Sequence, residues 1–226
     1  MDTGRVLIGA LTRHATLVES PEIQRECPVL AEAAALIGNV RVRSLGTIGG
    51  SLAHADPTAE LPMAMVALDA SVRLQGSVGM RTVSARDFFT GYLATTLAPN
   101  ELLTGSDVPV PHGHGHAVEE LSRRPGDFAI VAVAALVGVD RRGRVDDARL
   151  AFGGVAPSPV RAREAEDSLR GVEPTWDNVA RAAAMARDAL APASDAFVSA
   201  GYRKLLAGVL ARRALTRAVA RALEGG

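Results

Sequence analysis

Arg43-Ser44-Leu45-Gly46-Thr47-Ile48-Gly49-Gly50-Ser51-Leu52-Ala53-His54-Ala55-Asp56-Pro57 places three glycines within five positions and sets Thr47 and Ser51 among them. Glycine has no Cβ, so an anion can approach the main chain closely and several N–H groups can turn toward one point. The two hydroxyls add donors, which makes a pyrophosphate a sensible occupant. Glycine clusters also build ordinary tight turns, and the residues alone leave both uses open. The stretch is neither of the common nucleotide loops. No Gly-Lys-Ser/Thr follows it, and Gly46, Gly49 and Gly50 do not fit G-x-G-x-x-G.

Upstream, Val6 to Ala10 reads as a strand followed by Thr12 as a helix N-cap. Pro28 to Ile37 is rich in helix formers, with Gly38 as its terminator. Downstream, Leu61 to Leu68 reads as a helix with Pro62 in its first turn. Ser71 to Leu74 and Arg81 to Val83 read as strands around a turn at Gly76 to Gly79. Proline and glycine crowd Pro109 to His116, which marks an interdomain linker. Beyond it, the apolar run Phe128 to Val139, a turn at Asp140 to Gly143 and a return strand from Ala148 to Phe152 predict a hairpin. Helices are expected at Arg161 to Leu169, Thr175 to Leu190 and Ser199 to Leu223. The last carries Leu205, Leu206, Val209, Leu210, Leu215 and Val219 roughly on one face, opposed by Arg212, Arg213, Arg217 and Arg221 in water. The reading is an α+β protein of two domains, residues 1–111 and 112–226.

Composition narrows the function classes. The 226 residues carry 25 basic and 25 acidic side chains, so net charge points to neither nucleic acid nor an anionic membrane. Aromatics at 4% are too few for a base-stacking platform. The N-terminus lacks a basic region followed by a long apolar core, and no apolar run is long enough to span a bilayer, so a cytoplasmic location is expected. Cys27 is the only cysteine, which excludes an intramolecular disulfide and a Cys-ligated cluster within the chain. It reads as a small buried hydrophobe.

Three further candidates compete. His112, His114 and His116 alternate with glycine and would share one face of an extended chain, a spacing open to zinc or nickel. No carboxylate stands beside them in sequence to orient the rings, and no metal is expected. His54 either tunes a ligand in the glycine stretch or bonds to the backbone there, and Asp146-Asp147 reads as solvated surface. Nothing pairs an activated Ser or Cys with a base, so no catalytic side chain is assigned.

The string VRSLGTIGGSLAHADPTAELP resembles the flavin loop of the xanthine dehydrogenase and carbon monoxide dehydrogenase medium-subunit family. Ala34 to Gly38, Asp87 to Gly91 and Asn100 to Thr104 fit the same pattern. So do Arg123 to Ala129, Gly153 to Pro157 and Tyr202 to Leu205. The resemblance implies a truncated FAD-binding domain of the PCMH type, then a carbon monoxide dehydrogenase flavoprotein C-terminal-like domain of antiparallel sheet and helices.

On that resemblance FAD lies between the two domains. Thr47, Ile48, Gly49, Gly50 and Ser51 match the phosphate- and flavin-contacting loop. Glu60 falls at an acidic cofactor contact, and Ile37 and Leu102 match apolar positions on the flavin or adenine. The implied role is electron transfer. A molybdopterin-binding large subunit oxidises substrate, an iron–sulfur (2Fe-2S) small subunit carries electrons out, and FAD passes them to an acceptor. Two departures stand out. The chain is expected to lack the family's N-terminal lobe with its second glycine loop, and Glu119 and Glu120 stand where some relatives have a cofactor-contacting lysine. Two rival readings are a flavin-free scaffold of the same fold and a fragment of a longer subunit.

Overall fold

The computed structural model describes residues 4–224. The first half runs β1 (Arg5–Gly9), α1 (His14–Glu19), α2 (Pro21–Glu26), α3 (Pro28–Leu36), α4 (Val40–Leu45), α5 (Ile48–His54) and α6 (Glu60–Ala67). It continues through β2 (Ser71–Gly76), β3 (Gly79–Ser84), α7 (Ala85–Phe88), β4 (Phe89–Gly91), β5 (Ala94–Thr95) and β6 (Glu101–Pro109). The second half is β7 (His114–Ser122), β8 (Ala129–Val139), β9 (Val145–Gly153), β10 (Val160–Arg161), α8 (Arg163–Leu169), α9 (Trp176–Ala189) and α10 (Ala200–Glu224). Two four-stranded antiparallel sheets result, ordered β1-β6-β2-β3 and β10-β9-β8-β7, beside a small β4-β5 hairpin. None of the described helices is long and apolar enough to cross a membrane.

Several expectations shift. Thr12 is not a helix cap: α1 starts at His14 behind Arg13, and the Thr12 carbonyl instead accepts the Ile48 N–H at 3.0 Å. The glycine stretch is largely helical rather than a loop. Asn39 caps α4 by accepting the Arg41 and Val42 N–H groups, and Thr47 caps α5. Gly38 ends α3 in the left-handed region at φ 48°, the conformation glycine adopts most cheaply. The expected linker is a tight turn, because β6 ends at Pro109 and β7 starts at His114, each in a different sheet.

Strand β8 explains why Phe128 to Val139 reads as a continuous apolar run: it is buried on both faces. Ala132, Ala134 and Leu136 join the core with α3 and α6, while Val131, Val133, Ala135 and Val137 pack against α8 to α10. The first core therefore draws residues from both halves of the chain. In α10 the buried stripe is Leu206, Ala207, Leu210, Ala211, Ala214, Leu215, Ala218, Val219 and Ala222, whereas Leu205 is exposed. Alanines supply more than half of that stripe because the helix lies directly on β7, where a Cβ on Gly115 would meet the Ala218 carbonyl oxygen at 1.9 Å.

Two of the four arginines expected in water, Arg217 and Arg221, do more than face it. Arg221 donates to Glu32 on α3 and to the His116 carbonyl, and Arg217 pairs with Glu119. Glu32 also accepts the Val118 N–H at 3.1 Å, with His116 3.6 Å away. Burial would raise the Glu32 carboxyl, but the His116 and Arg221 contacts outweigh it and bring it down to about 2. The folded value lies below the ordinary one, so the clasp stabilises above pH about 4.5 and is lost as pH falls toward 2. Glu32→Gln should cost about 2 kcal/mol at pH 7 and flatten the acid limb of stability against pH. Urea titrations at pH 7, 4 and 3 measure both, and an unchanged acid limb would remove Glu32 from the clasp.

Candidate functional site

The glycine turn is fastened to the end of β1. The Ala10 carbonyl accepts the Gly49 N–H at 2.9 Å, the Thr12 carbonyl accepts that of Ile48, and the Gly46 carbonyl accepts the His14 N–H at 3.1 Å. An isolated bridge pairs Arg13 with Thr47. Gly49 is required by contact: a Cβ there would lie 2.6 Å from the Ala10 Cβ. The Thr47 hydroxyl accepts the Gly50 N–H at 3.1 Å, and the Thr47 carbonyl accepts that of Ser51. The first-turn N–H groups are thus all engaged, which corrects the expectation that they converge on an open point. What the turn offers outward is the Thr47 hydroxyl proton, the half-buried Ser51 hydroxyl and the bare face of exposed Gly50.

Ile48 is buried and fixes the turn rather than facing outward. Ile37 closes α3 and is nearly buried, and Arg43 ties it to α4 by donating to the Ile37 and Gly38 carbonyls at 2.9 and 3.3 Å. Leu102 is 72% exposed, two residues along β6 from Thr104, whose carbonyl accepts the Ala10 N–H. Helix α4 buries none of its side chains, so Val40, Val42 and Leu45 stand uncovered beside the turn. Apolar side chains grouped next to polar donors are the surface a partly aromatic, partly phosphorylated ligand would cover.

Two acids meet from opposite halves. Glu60 opens α6, is 5% exposed and makes no ion pair among the described residues. Burial pushes its carboxyl up to about 7, and the Asp56 charge adds to the rise. Glu120 on β7 is half-buried and is pushed up to about 7 by burial and then by the Glu60 charge, and its Oε2 is sealed from solvent without a partner. A protonated carboxyl donates as well as accepts. Of the two acids that stand where some relatives have a lysine, Glu119 is paired with Arg217, and Glu120 is pushed up toward holding its proton near neutral pH.

Between the halves lies a cleft of about 480 Å³, lined by Ala35, Leu36, Gly38, Glu120, Arg123 and Gly126 among others. Gly126, at φ 85°, sits so close that a Cβ would be 3.0 Å from the Gly38 carbonyl oxygen. The Pro57 carbonyl accepts the Gly154 N–H at 2.8 Å, and Arg203 donates to the Gly154 and Ile130 carbonyls at 2.9 and 2.8 Å. The motifs of the second half thus converge on the segment after the glycine turn. Sequence reasoning missed Val42, Glu120 as a proton-holding group, and His14. Burial of a polar side chain carries no local sequence signal.

The other candidates separate from this site. His114 bonds to Asp147 at 3.0 Å and to the His112 carbonyl, and the Asp147 contact leads in raising its pKa. Carboxylates therefore do stand beside His114 and His116, brought there by pairing across the fold, and Asp147 is ion-paired rather than merely solvated. Among the described residues no group of three or more His, Cys, Asp or Glu is placed to hold a metal. His54 is exposed at the end of α5. Cys27 is buried, and burial pushes its thiol up to about 12.

Known proteins give a consistent comparison. Residues 1–111 match the family model for the FAD binding domain in molybdopterin dehydrogenase, and residues 116–218 match that for the CO dehydrogenase flavoprotein C-terminal domain. The chain is 40% identical over 218 residues to the 6-hydroxypseudooxynicotine dehydrogenase complex subunit alpha of Paenarthrobacter nicotinovorans, covering 96% of this chain and 74% of that protein. It is 40% identical over 218 residues to the carbon monoxide dehydrogenase medium chain of Afipia carboxidovorans, covering 96% and 75% respectively. Among solved structures, carbon monoxide dehydrogenase of Hydrogenophaga pseudoflava superposes with TM-score 0.93 at 40% identity, over 98% of this chain and 77% of that one. Quinoline 2-oxidoreductase of Pseudomonas putida 86 superposes with TM-score 0.94 at 34% identity, over 99% and 78%.

The buried acid makes a pH prediction. The folded Glu60 value lies above the ordinary 4.5, so its stabilising contribution is whole below pH 4.5 and is lost as pH rises through about 7. That loss is about 3 kcal/mol. Glu60→Gln should at least halve the fall in unfolding free energy between pH 5 and 7.5, measured with urea on the flavin-free protein. An unaltered slope would place the titration elsewhere.

Proposed function

Because the chain belongs to the FAD-binding medium-subunit family of the molybdopterin dehydrogenases, we propose that it is the flavin-bearing electron-transfer subunit of a molybdenum hydroxylase. Its proposed partners are a molybdopterin-binding large subunit, which oxidises substrate, and a 2Fe-2S small subunit, which delivers electrons. FAD, when bound, supplies redox chemistry that accepts electrons singly and releases them in pairs.

One observation supports this reading above the rest. A hydroxyl-bearing glycine turn is pinned to β1 beside uncovered apolar side chains, with the second half's motifs converging on the segment that follows it. Thr47, Gly50 and Ser51 would hold the pyrophosphate, while Ile48 and Gly49 keep the turn in place. Ile37 and Leu102 would flank the rings, and Glu60, protonated near neutral pH, would meet a polar edge of the cofactor. Val42 joins the apolar flank. A second reading, a flavin-free scaffold, draws on the prior engagement of the first-turn N–H groups.

A visible spectrum of the purified chain, taken after adding FAD and removing the excess, separates the two. Retained flavin absorbance is the expected result, and its absence would favour the scaffold. Gly50→Val is the sharper probe. Gly50 is exposed, and a Cβ there would lie 3.0 Å from the Thr47 hydroxyl oxygen, crowding the face assigned to the pyrophosphate. The variant should bind FAD about 100-fold more weakly, near 3 kcal/mol. Its Tm should stay within about 4 °C of the parent. Equal flavin affinity in the two proteins would refute the assignment of the turn.

A further inference from the structure

His14 opens α1 on the inner side of the glycine turn and is 6% exposed. Both of its ring nitrogens are sealed from solvent and lack a hydrogen-bond partner. A buried polar atom without a partner is destabilising, so an apolar ring in the same space would stabilise the fold more. The ring also dictates its neighbour. A Cβ on Gly46 would lie 2.7 Å from Cε1 and 2.8 Å from Nδ1, so only glycine fits there. The main chain on either side is tied to the same segment, through the His14 N–H to the Gly46 carbonyl and the Arg13–Thr47 bridge.

We infer that His14 is the positioning residue of the cofactor turn: its imidazole is the block against which the Gly46 and Thr47 main chain is set, so that the Thr47 hydroxyl faces outward. The inference rests on the reading of this turn as the FAD site. Burial lowers the imidazole pKa, with the Thr47 backbone beside the ring pulling it partly back, so the ring is uncharged at neutral pH. The five-membered imidazole is smaller than a phenyl ring, so a phenyl in its place changes the block against which Gly46 and Thr47 are set. His14 does not face outward itself and acts through Gly46 and Thr47.

The test is His14→Phe, with Gly46→Ala as a second variant that drives a methyl into the ring from the other side. A purely structural histidine predicts altered Tm with unaltered flavin affinity. The positioning role predicts the reverse for His14→Phe: a Tm equal to or above that of the parent, and an FAD dissociation constant at least tenfold weaker by flavin fluorescence. Gly46→Ala should reproduce the loss of affinity. If His14→Phe fails to fold, His14→Gln carries the same comparison. FAD affinity within twofold of the parent in the histidine variant would overturn the inference.

Amide hydrogen exchange of Ile48, Gly49 and Gly50 in the flavin-free chain decides the matter independently. Exchange at least tenfold faster in His14→Phe supports the positioning role, and unchanged exchange overturns it. Should the parent chain bind no FAD at all, the cofactor reading fails, while the exchange data still judge His14.

Discussion

Strand β8 has no solvent face. Its even positions, Ala132, Ala134 and Leu136, lie against α3 and α6, and its odd positions, Val131, Val133, Ala135 and Val137, lie against the C-terminal helices. Side chains alternate across a strand, so a slip of one residue would exchange these two sets and misfit both cores at once. Small side chains on the first face let α6 come close, and at roughly 25 cal/mol per Å² of apolar surface the double burial dominates the local energetics. One strand therefore welds the two halves, and every contact that shapes the cleft inherits that register.

The halves meet through backbone as much as through side chains. Gly126 packs on Gly38, and the Gly154 N–H bonds to the Pro57 carbonyl. A Cβ on Gly126 would press on the Gly38 main chain across the halves, and Gly126, Gly38 and Gly154 all sit at positive φ, where other residues are strained. The Glu32 cluster adds a polar clasp from α3 to β7 and α10. Close backbone approach and a fixed strand register together set how far apart the walls of the cleft stand.

Within that frame, the chemistry rests on what is left over once the fold is satisfied. The N–H groups at the start of α5 are already bonded, so hydroxyls and an exposed glycine remain for a ligand. Apolar side chains at Val42, Leu45 and Leu102 remain uncovered. The buried Glu60 and half-buried Glu120 carboxyls keep their protons near neutral pH instead of paying for unpaired charge out of water. Such a site binds and orients a cofactor and adjusts its surroundings, while the redox step belongs to the cofactor.

Local patterns were legible in the chain itself. The helix ended by Gly38, the hairpin around Asp140 to Gly143, the α+β class and the glycine-rich stretch with its two hydroxyls all follow from short-range rules of capping, turns and period. What those rules could not reach was pairing at a distance. Arg221 and Glu32 stand 189 residues apart in sequence. His114 finds Asp147 only because β7 and β9 flank β8, and the first N–H groups of α5 are taken up by the Ala10 and Thr12 carbonyls just beyond β1. Burial decided the rest. Whether Leu205 faces the core, whether Glu60 keeps its proton and why Gly46 admits no side chain all depend on atoms brought close by packing, and packing is a property of the assembled cores rather than of any one segment.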